Sequence, residues 1–281
     1  MTNRSILVEK HPWTQPWWKA DDHSVFTYIV LIHVLAVIGI VLFPIPGWKV
    51  FLASVTATAL GGLGTTVGYH RALSHRAVRL NPIAEQILIF FAVFNGSGSP
   101  STWIANHRNH HAHSDTLDDV SSPRHGGFWW AHLRWLYQWE PSSMEKWCPD
   151  LIQQRYLFWT RVQPYLLLVS LTFGYFLFGW AGFFWLGAIR LVYSLHLQAV
   201  VNSLLHLKPG LPEGADSSQN IWWLGPMQLT AWGENWHGNH HQYPASACFS
   251  RQWWQVDIGW YVIRAMQVMG LASQVRTHKK I

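Results

Sequence analysis

The sequence predicts an all-α integral membrane protein: four transmembrane helices in two hairpins, under a cytosolic helical cap that carries a histidine-ligated dimetal site. Three observations predict it. Apolar stretches of bilayer length occur in two pairs. A polar, aromatic stretch follows each pair. Histidines gather in those polar stretches, as His70-Arg71-Ala72-Leu73-Ser74-His75, His107-Arg108-Asn109-His110-His111 and His237-Gly238-Asn239-His240-His241.

The first apolar stretch covers residues 25–45 without a charge and ends at Pro44, Pro46 and Gly47. The second, residues 50–69, is rich in Gly, Ala and Thr. Each is close to the ~20 residues that cross a bilayer core, and the short turn between them makes a hairpin. Residues 83–97 are apolar but too short and interrupted to span, which places them in the interface or under the cap. Residues 164–178 and 182–205 form the second hairpin around Gly179-Trp180-Ala181-Gly182. The cap is then residues 70–163 and 206–281, within one domain over 1–281.

Composition agrees. Hydrophobic residues make up 49% and charged residues 12%, about half the charged share of a soluble protein. Mean hydropathy is only +0.05, so lipid spans alternate with a sizeable polar part. Trp occurs 20 times, and Trp collects at membrane interfaces. Trp13, Trp17 and Trp18 suggest a segment lying on the membrane surface. Residues 1–24 do not form a signal peptide, because Glu9, Lys10, Lys19, Asp21 and Asp22 interrupt any apolar run.

The net charge is +6 and the pI near 9.4. That balance fits positive-inside topology and attraction to anionic lipid. Basic residues are dispersed and no nucleic-acid motif accompanies them, so nucleic-acid binding is excluded. The two hairpin turns hold one basic residue, Lys49, whereas Arg71, Arg76 and Arg79 follow the second span and Arg276, Lys279 and Lys280 end the tail. Both termini and all three clusters are therefore expected on the cytosolic side of the membrane. Cys148 and Cys248 are isolated. They read as reduced thiols and cannot supply the four ligands of an iron–sulfur cluster.

Neutral imidazole is the commonest protein metal ligand. In H-x-N-H-H the nitrogens lie at i, i+3 and i+4, one helix face, so each cluster can aim two or three of them at one point. Eight imidazoles exceed the four ligands of one tetrahedral zinc, which implies two ions. His70 and His75 are about 140° apart on an ideal helix, so they converge only if the helix ends or loosens between them. Ligating imidazoles usually donate their other N–H to a carboxylate or carbonyl. Asp115, Asp118, Asp119 and Glu234 are the available carboxylates, and His113 and His132, beside the boxes, are further supporting candidates. His125 also flanks them, while His33 and His196 lie within spans on faces the pattern does not place.

Further stretches join the boxes. Gly68-Tyr69 precedes the first box and Trp103-Ile104-Ala105-Asn106 the second. Gly127-Phe128-Trp129-Trp130-Ala131-His132, Val201-Asn202-Ser203-Leu204-Leu205-His206 and Gly233-Glu234-Asn235-Trp236 complete the set. In this order and spacing the chain resembles the membrane-bound fatty acyl desaturases, the family of stearoyl-CoA desaturase and the short bacterial and cyanobacterial acyl-lipid delta-9 desaturases. The resemblance implies two iron ions held by nine histidines: His70, His75, His107, His110, His111, His206, His237, His240 and His241, with Asn202 acting through a water. Imidazoles also bind zinc well, so expression can load zinc instead. From the residues alone, His206 reads equally as a capping or interfacial histidine, and Asn202 as an interhelical hydrogen bond.

The resemblance also implies O2-dependent formation of a cis double bond near carbon nine of a saturated acyl chain. The carrier is CoA, acyl-carrier protein or glycerolipid. Electrons come from outside, through a ferredoxin or cytochrome b5 with its reductase. Hydroxylases and alkene-forming decarboxylases share the boxes, and a metal-storage membrane protein is the non-enzymatic rival. An acyl tunnel is expected along the second span, at Ser54, Ala57, Gly61 and Gly62, with Trp103 and Arg190 as further lining. The same small residues also read as close helix packing, and Arg190 as a snorkelling side chain. The chain departs from the family pattern at Asp118-Asp119-Val120, where Asp-Pro-His is usual, and at Gly126-Gly127-Phe128, where Arg-Gly-Phe is usual. Both changes bear on substrate subtype more than on the metal site.

Overall fold

A computed structural model describes residues 11–227 and 231–278. Glu9, Lys10, Lys279 and Lys280, used above for the leader and topology, lie outside the described residues. Three helical stretches are long and apolar enough to cross a membrane: His23–Leu42, Trp48–Ser74 and Gln154–His206.

Helix α1 (His23–Leu42) starts where the Asp22 carboxylate accepts from the backbone N–H of Ser24 and Val25, at 2.9 and 3.0 Å. It buries Ile29, Ile32, Ala36 and Gly39 and exposes Val34, Val37, Val41 and Leu42. An apolar helix with apolar residues facing outward suits lipid. Gly47 turns the chain at φ 82° into α2 (Trp48–Leu63).

Helix α2 does not stop where the second span was expected to end. It continues through Gly64–Ser74 in π-helical winding, so the span carries His70 with it. Just beyond, the Arg71 guanidinium makes two bonds to the fully buried Asp257 carboxylate, at 2.9 and 3.0 Å. It also lies 3.8 Å over the Phe249 ring. This clamp fixes the C-terminal end of the span to the C-terminal part of the cap, where α8 (Ile258–Val268) buries Ile263 and Met266 beside Val67 and Ala72. Strand β1 (Arg79–Leu80) pairs antiparallel with β2 (Ala272–Ser273) at the same junction.

Helices α3 (Pro82–Phe94) and α4 (Pro100–His113) begin alike, with Asn81 and Ser99 as side-chain caps and proline at the first turn. Helix α3, which covers most of 83–97, is apolar but shorter than the candidate spans, as expected. Helix α3 runs antiparallel along α2. Leu88 packs on Gly64 and Gly68, and Asn95 reaches Gly61. Helix α4 then returns toward His70.

Helix α5 (Gln154–Gly182) starts ten residues before the expected span. The chain reverses at Phe178 and Gly179, where Gly179 adopts φ 63°. The returning arm, Phe183–Ile189 and α6 (Arg190–Asn202), packs back on the outgoing one. A β-carbon on Gly174 would lie 2.1 Å from Gly182 O, and one on Gly187 2.2 Å from Leu171 O, so only glycine permits this approach. The 3-10 turn Leu204–His206 ends the arm, and α7 (His237–Gln242) carries the last cluster.

Candidate metal centre

Nine histidines converge into two groups. His70, His75, His107, His111 and His240 form one, and His110, His206, His237 and His241 the other; within each group the ligand nitrogens lie within 4.8 Å of one another. Each H-x-N-H-H box is divided between them, contrary to the expectation of one target per box. On α4 the i, i+4 pair His107 and His111 joins the first group and His110 the second. On α7 the pair His237 and His241 joins the second and His240 the first. Residues i and i+4 share a face, and i+3 is rotated to its side. Two helices can therefore serve two adjacent points at once.

The π winding explains how His70 and His75 meet. His75 N–H donates to His70 O at 3.1 Å, a bond spanning five residues. Widening the turn stacks residues five apart, and π segments recur at functional sites. The ring centroids lie 5.1 Å apart.

Carboxylates fix four of the rings. Glu234 lies 2.9 Å from His70 Nδ1, Asp119 2.9 Å from His110 Nδ1, Asp115 3.2 Å from His206 Nδ1, and Asp216 2.7 Å from His241 Nδ1. Burial works to raise Glu234, but His70 holds it below the usual carboxylate range; His110 does the same for Asp119. Burial likewise opposes Asp115, and hydrogen bonds from His206, Ser217 and Ser122 hold it low. An ionised carboxylate only accepts, so each facing Nδ1 carries the hydrogen and Nε2 presents a lone pair.

The Nε2 atoms face one another within each group, and among the described residues no carboxylate fixes the rings of His75, His107, His111, His237 or His240. His70 Nε2 lies 2.9 Å from His240 Nε2, which lies 3.0 Å from His111 Nε2; His75 and His107 meet at 2.8 Å. In the second group His237 Nε2 lies 3.0 Å from that of His206 and 3.1 Å from that of His241. A neutral ring that carries its hydrogen on Nε2 can bridge one such contact, but His237 Nε2 faces two bare nitrogens, those of His206 and His241, with one hydrogen at most, and a cation between them satisfies all three. Protons do not supply it in most rings: burial and neighbouring imidazoles hold His75, His107, His111, His237, His240 and His241 well below the ordinary histidine range. At His110 the Asp119 carboxylate outweighs burial and raises the pKa. The donor set therefore fits two metal cations.

Other expected residues are placed differently. Asp118 is exposed, with no contact to either group among the described residues, because it lies on the outside of the turn that points Asp115 and Asp119 inward. His113 bonds Asn109 at 2.6 Å and packs on Trp147, one face away from His110. His132 faces the spans rather than the clusters: its Nδ1 meets Ser203 Oγ at 2.9 Å and its Nε2 meets His196 Nδ1 at 2.8 Å. His196 Nε2 in turn meets His33 Nε2 at 2.9 Å. Asn202 is the last residue of α6, one turn before His206. Trp103 stacks on His107, with centroids 4.8 Å apart. Sequence reasoning missed Asp216, which is remote from every box. It missed His33 and His196 as partners because only the fold brings their helices together.

Arg190 does not snorkel. It is 2% exposed, donates to Asn95 Oδ1 at 2.9 Å and to Leu186 O at 2.6 Å, and also bonds Ser170. Gly61 faces that network rather than open space, since a β-carbon there would lie 2.1 Å from Asn95 Cγ. A side chain there would displace Asn95, so Gly61 serves this close packing. Ser54 is buried and bonds Val50 O, while Ala57 and Gly62 are half-buried on the same helix.

Residues 46–273 match the fatty acid desaturase family. The chain belongs to that family. It is 32% identical to a delta-9 acyl-lipid desaturase 2 of Arabidopsis thaliana over 92% of this chain and 84% of that protein. An sn-1 stearoyl-lipid 9-desaturase of Synechocystis is 32% identical over 95% and 83%, and an icosanoyl-CoA 5-desaturase of Limnanthes douglasii is 33% identical over 98% and 78%. Membership makes the protein an oxidoreductase of lipid metabolism. The apolar helices and histidine groups of this desaturase are consistent with a membrane protein that binds metal.

Proposed function

We propose that this desaturase introduces a cis double bond at carbon nine of a saturated, lipid-linked acyl chain, using two iron ions held by the nine histidines. The observation that carries the reading is the pair of facing Nε2 clusters. The Nε2 contacts of 2.8–3.4 Å within the two groups suit nitrogens gathered round one cation in each. Cys-free, all-nitrogen ligation suits iron and O2. Iron bound there would supply the O2 chemistry that takes one hydrogen from each of two adjacent methylenes.

The balance requires O2, two electrons and two protons besides the substrate hydrogens, and yields two waters. The electrons come from a separate carrier, a ferredoxin or cytochrome b5 with its reductase. The chain's own residues position and shield. Glu234, Asp119, Asp115 and Asp216 hold four rings in the tautomer that ligates. Trp103 covers His107. The second span aligns one carbon–carbon bond, which matters because methylenes are chemically alike and geometry sets the position of attack. The reading takes 154–206 as two crossings, giving four in all, with both termini and the metal centre cytosolic. The name of the Arabidopsis and Synechocystis relatives supports carbon nine and a lipid carrier; the Limnanthes name shows that both features vary.

Expression in cells rich in saturated lipid, followed by lipid profiling, tests the reading. New monoenes with the bond at carbon nine are expected, and His110→Ala or His240→Ala abolishes them while the protein still folds. Hydroxy acids, alkenes or an unchanged profile from the wild-type chain overturn it. Elemental analysis of active protein should give about two irons per chain.

A further inference from the structure

The outer face of α3 carries a two-part cavity unconnected with the histidines. At its cytosolic end a cavity of about 330 Å³ is lined by Arg79, Glu85, Arg155 and the β2 strand. Beyond Pro82, which lines both parts, an apolar groove of about 690 Å³ runs along Ile83, Ile87, Phe90, Phe91 and Trp159. Each volume is within the ~300–1,000 Å³ of ligand sites. Ile83 is 70% exposed and Ile87 50%. The only polar group of the groove, Gln86, accepts from Trp159 Nε1 at 2.8 Å, which leaves the surface apolar.

The head of the groove is basic. Two arginines face one carboxylate, a local sum of +1. Arg155 is held in place by Tyr156 OH at 2.8 Å and lies 3.8 Å from Glu85, which leaves half of its side chain exposed. Arg79 is exposed and makes no ion pair among the described residues. Arginine binds phosphate oxygens in fork geometry. Helix α3 runs beside α5, with Phe90 packed on Trp159 and Phe94 on Phe173. The groove therefore points from the basic head away from the cap, the direction of an acyl chain in the cytosolic leaflet.

We infer that α3 and α5 hold one resident anionic glycerophospholipid, its phosphate at Arg79 and Arg155 and one acyl chain in the groove. It is not the substrate. The inner face of α3, with Ala84, Leu88 and Ala92, packs against α2 and separates the groove from His70.

The test is native mass spectrometry of the purified protein with added phosphatidylglycerol or phosphatidylcholine, together with Trp quenching by phosphatidylglycerol brominated on its acyl chain. The wild type should retain one phosphatidylglycerol in several-fold preference to phosphatidylcholine. The Arg79→Gln, Arg155→Gln double variant should lose the preference, and Trp159→Phe should lose part of the quenching. Equal retention of both lipids, a preference surviving the double variant, or quenching unchanged in Trp159→Phe would overturn the site. Desaturation of the retained lipid during turnover would overturn its resident role and make the groove a substrate entrance. None of these readouts depends on the carbon attacked.

Discussion

Gly61 rests against the side chain of Asn95, so closely that an added β-carbon would meet Asn95 Cβ at 2.3 Å. Asn95 Oδ1 also accepts from Arg190 Nη1 and Ser194 Oγ, both at 2.9 Å. The small residue thus serves a polar network inside the apolar body. Enlarging it disturbs the acceptor of a buried guanidinium before it narrows any tunnel.

The expected outcome for Gly61→Leu is a destabilised protein, by at least the ~1–3 kcal/mol of overpacking, with no specific change in chain-length preference. Ala57, four residues earlier and half-buried, is the sounder test of the second span as tunnel wall. Ala57→Leu should shift products to shorter acyl chains while the double bond stays at the same distance from the carboxyl end. Thermal unfolding in detergent and gas chromatography of products check the two halves. A displaced bond in Ala57→Leu would place the closed end elsewhere.

Asp216 and Asp118 make a controlled pair. Asp216 lies 2.7 Å from His241 Nδ1, whereas Asp118 touches neither group. Removing a carboxylate that orients a ligating imidazole costs about 10–100-fold in metal affinity or activity. Asp216→Asn should show a loss of that order in chelator competition, and Asp118→Asn none. Equal effects would mean that the carboxylates act through general charge instead of ring orientation.

The contrast between those two aspartates shows what the sequence makes legible. The convergence of His107 with His111 and of His237 with His241 could be read because i and i+4 positions share a face in any α-helix. The division of each box between two targets could not, since it depends on where the facing helix lies. His70 and His75 looked divergent because a π turn has no simple sequence signal. Asp216 lies 25 residues from His241 and was invisible to local spacing. The three helical stretches long and apolar enough to cross a membrane were legible from their apolarity. The partner of helix α3 was not legible, because a short apolar segment has the same composition on a membrane surface as it has packed along another helix.

His33, His196 and His132 form a ladder, anchored by His33 Nδ1 on Ile29 O at 2.7 Å and by His132 Nδ1 on Ser203 Oγ at 2.9 Å. Three neutral rings bring three N–H groups to four contacts. The Ser203 hydroxyl donates its one hydrogen to Ala199 O at 2.7 Å, so with all rings neutral it fills the fourth contact only by turning away from that carbonyl. His196→Phe strands a nitrogen on each neighbour, at about 1–3 kcal/mol for each that stays out of water. A lower unfolding temperature with full metal content is expected, because the ladder touches neither cluster. Loss of metal in this variant would show that it also holds the centre together.

Asp150 gives the pH dependence a defined sign. It accepts from Arg108 at 2.7 and 3.1 Å and lies 2.8 Å from Arg76. Burial works to raise its pKa, but those hydrogen bonds win and hold it at about 2, against an ordinary carboxylate near ~3.9. A depressed carboxylate stabilises the fold above its unfolded pKa, and the contribution is lost as pH falls toward the folded value. Arg108 also donates to Leu73 O, Ser74 O and Trp147 O, so this pair ties α4 to the end of the second span. Asp150→Asn should be less stable than the wild type at pH 7, by roughly 1 kcal/mol or less, since the pair is partly exposed and screened. The gap should close between pH ~4 and ~2. The histidine clusters protonate in both proteins as pH falls, so the difference between the two unfolding curves isolates Asp150. A gap that persists at pH 2 would assign the effect to lost packing around Arg108 instead of charge.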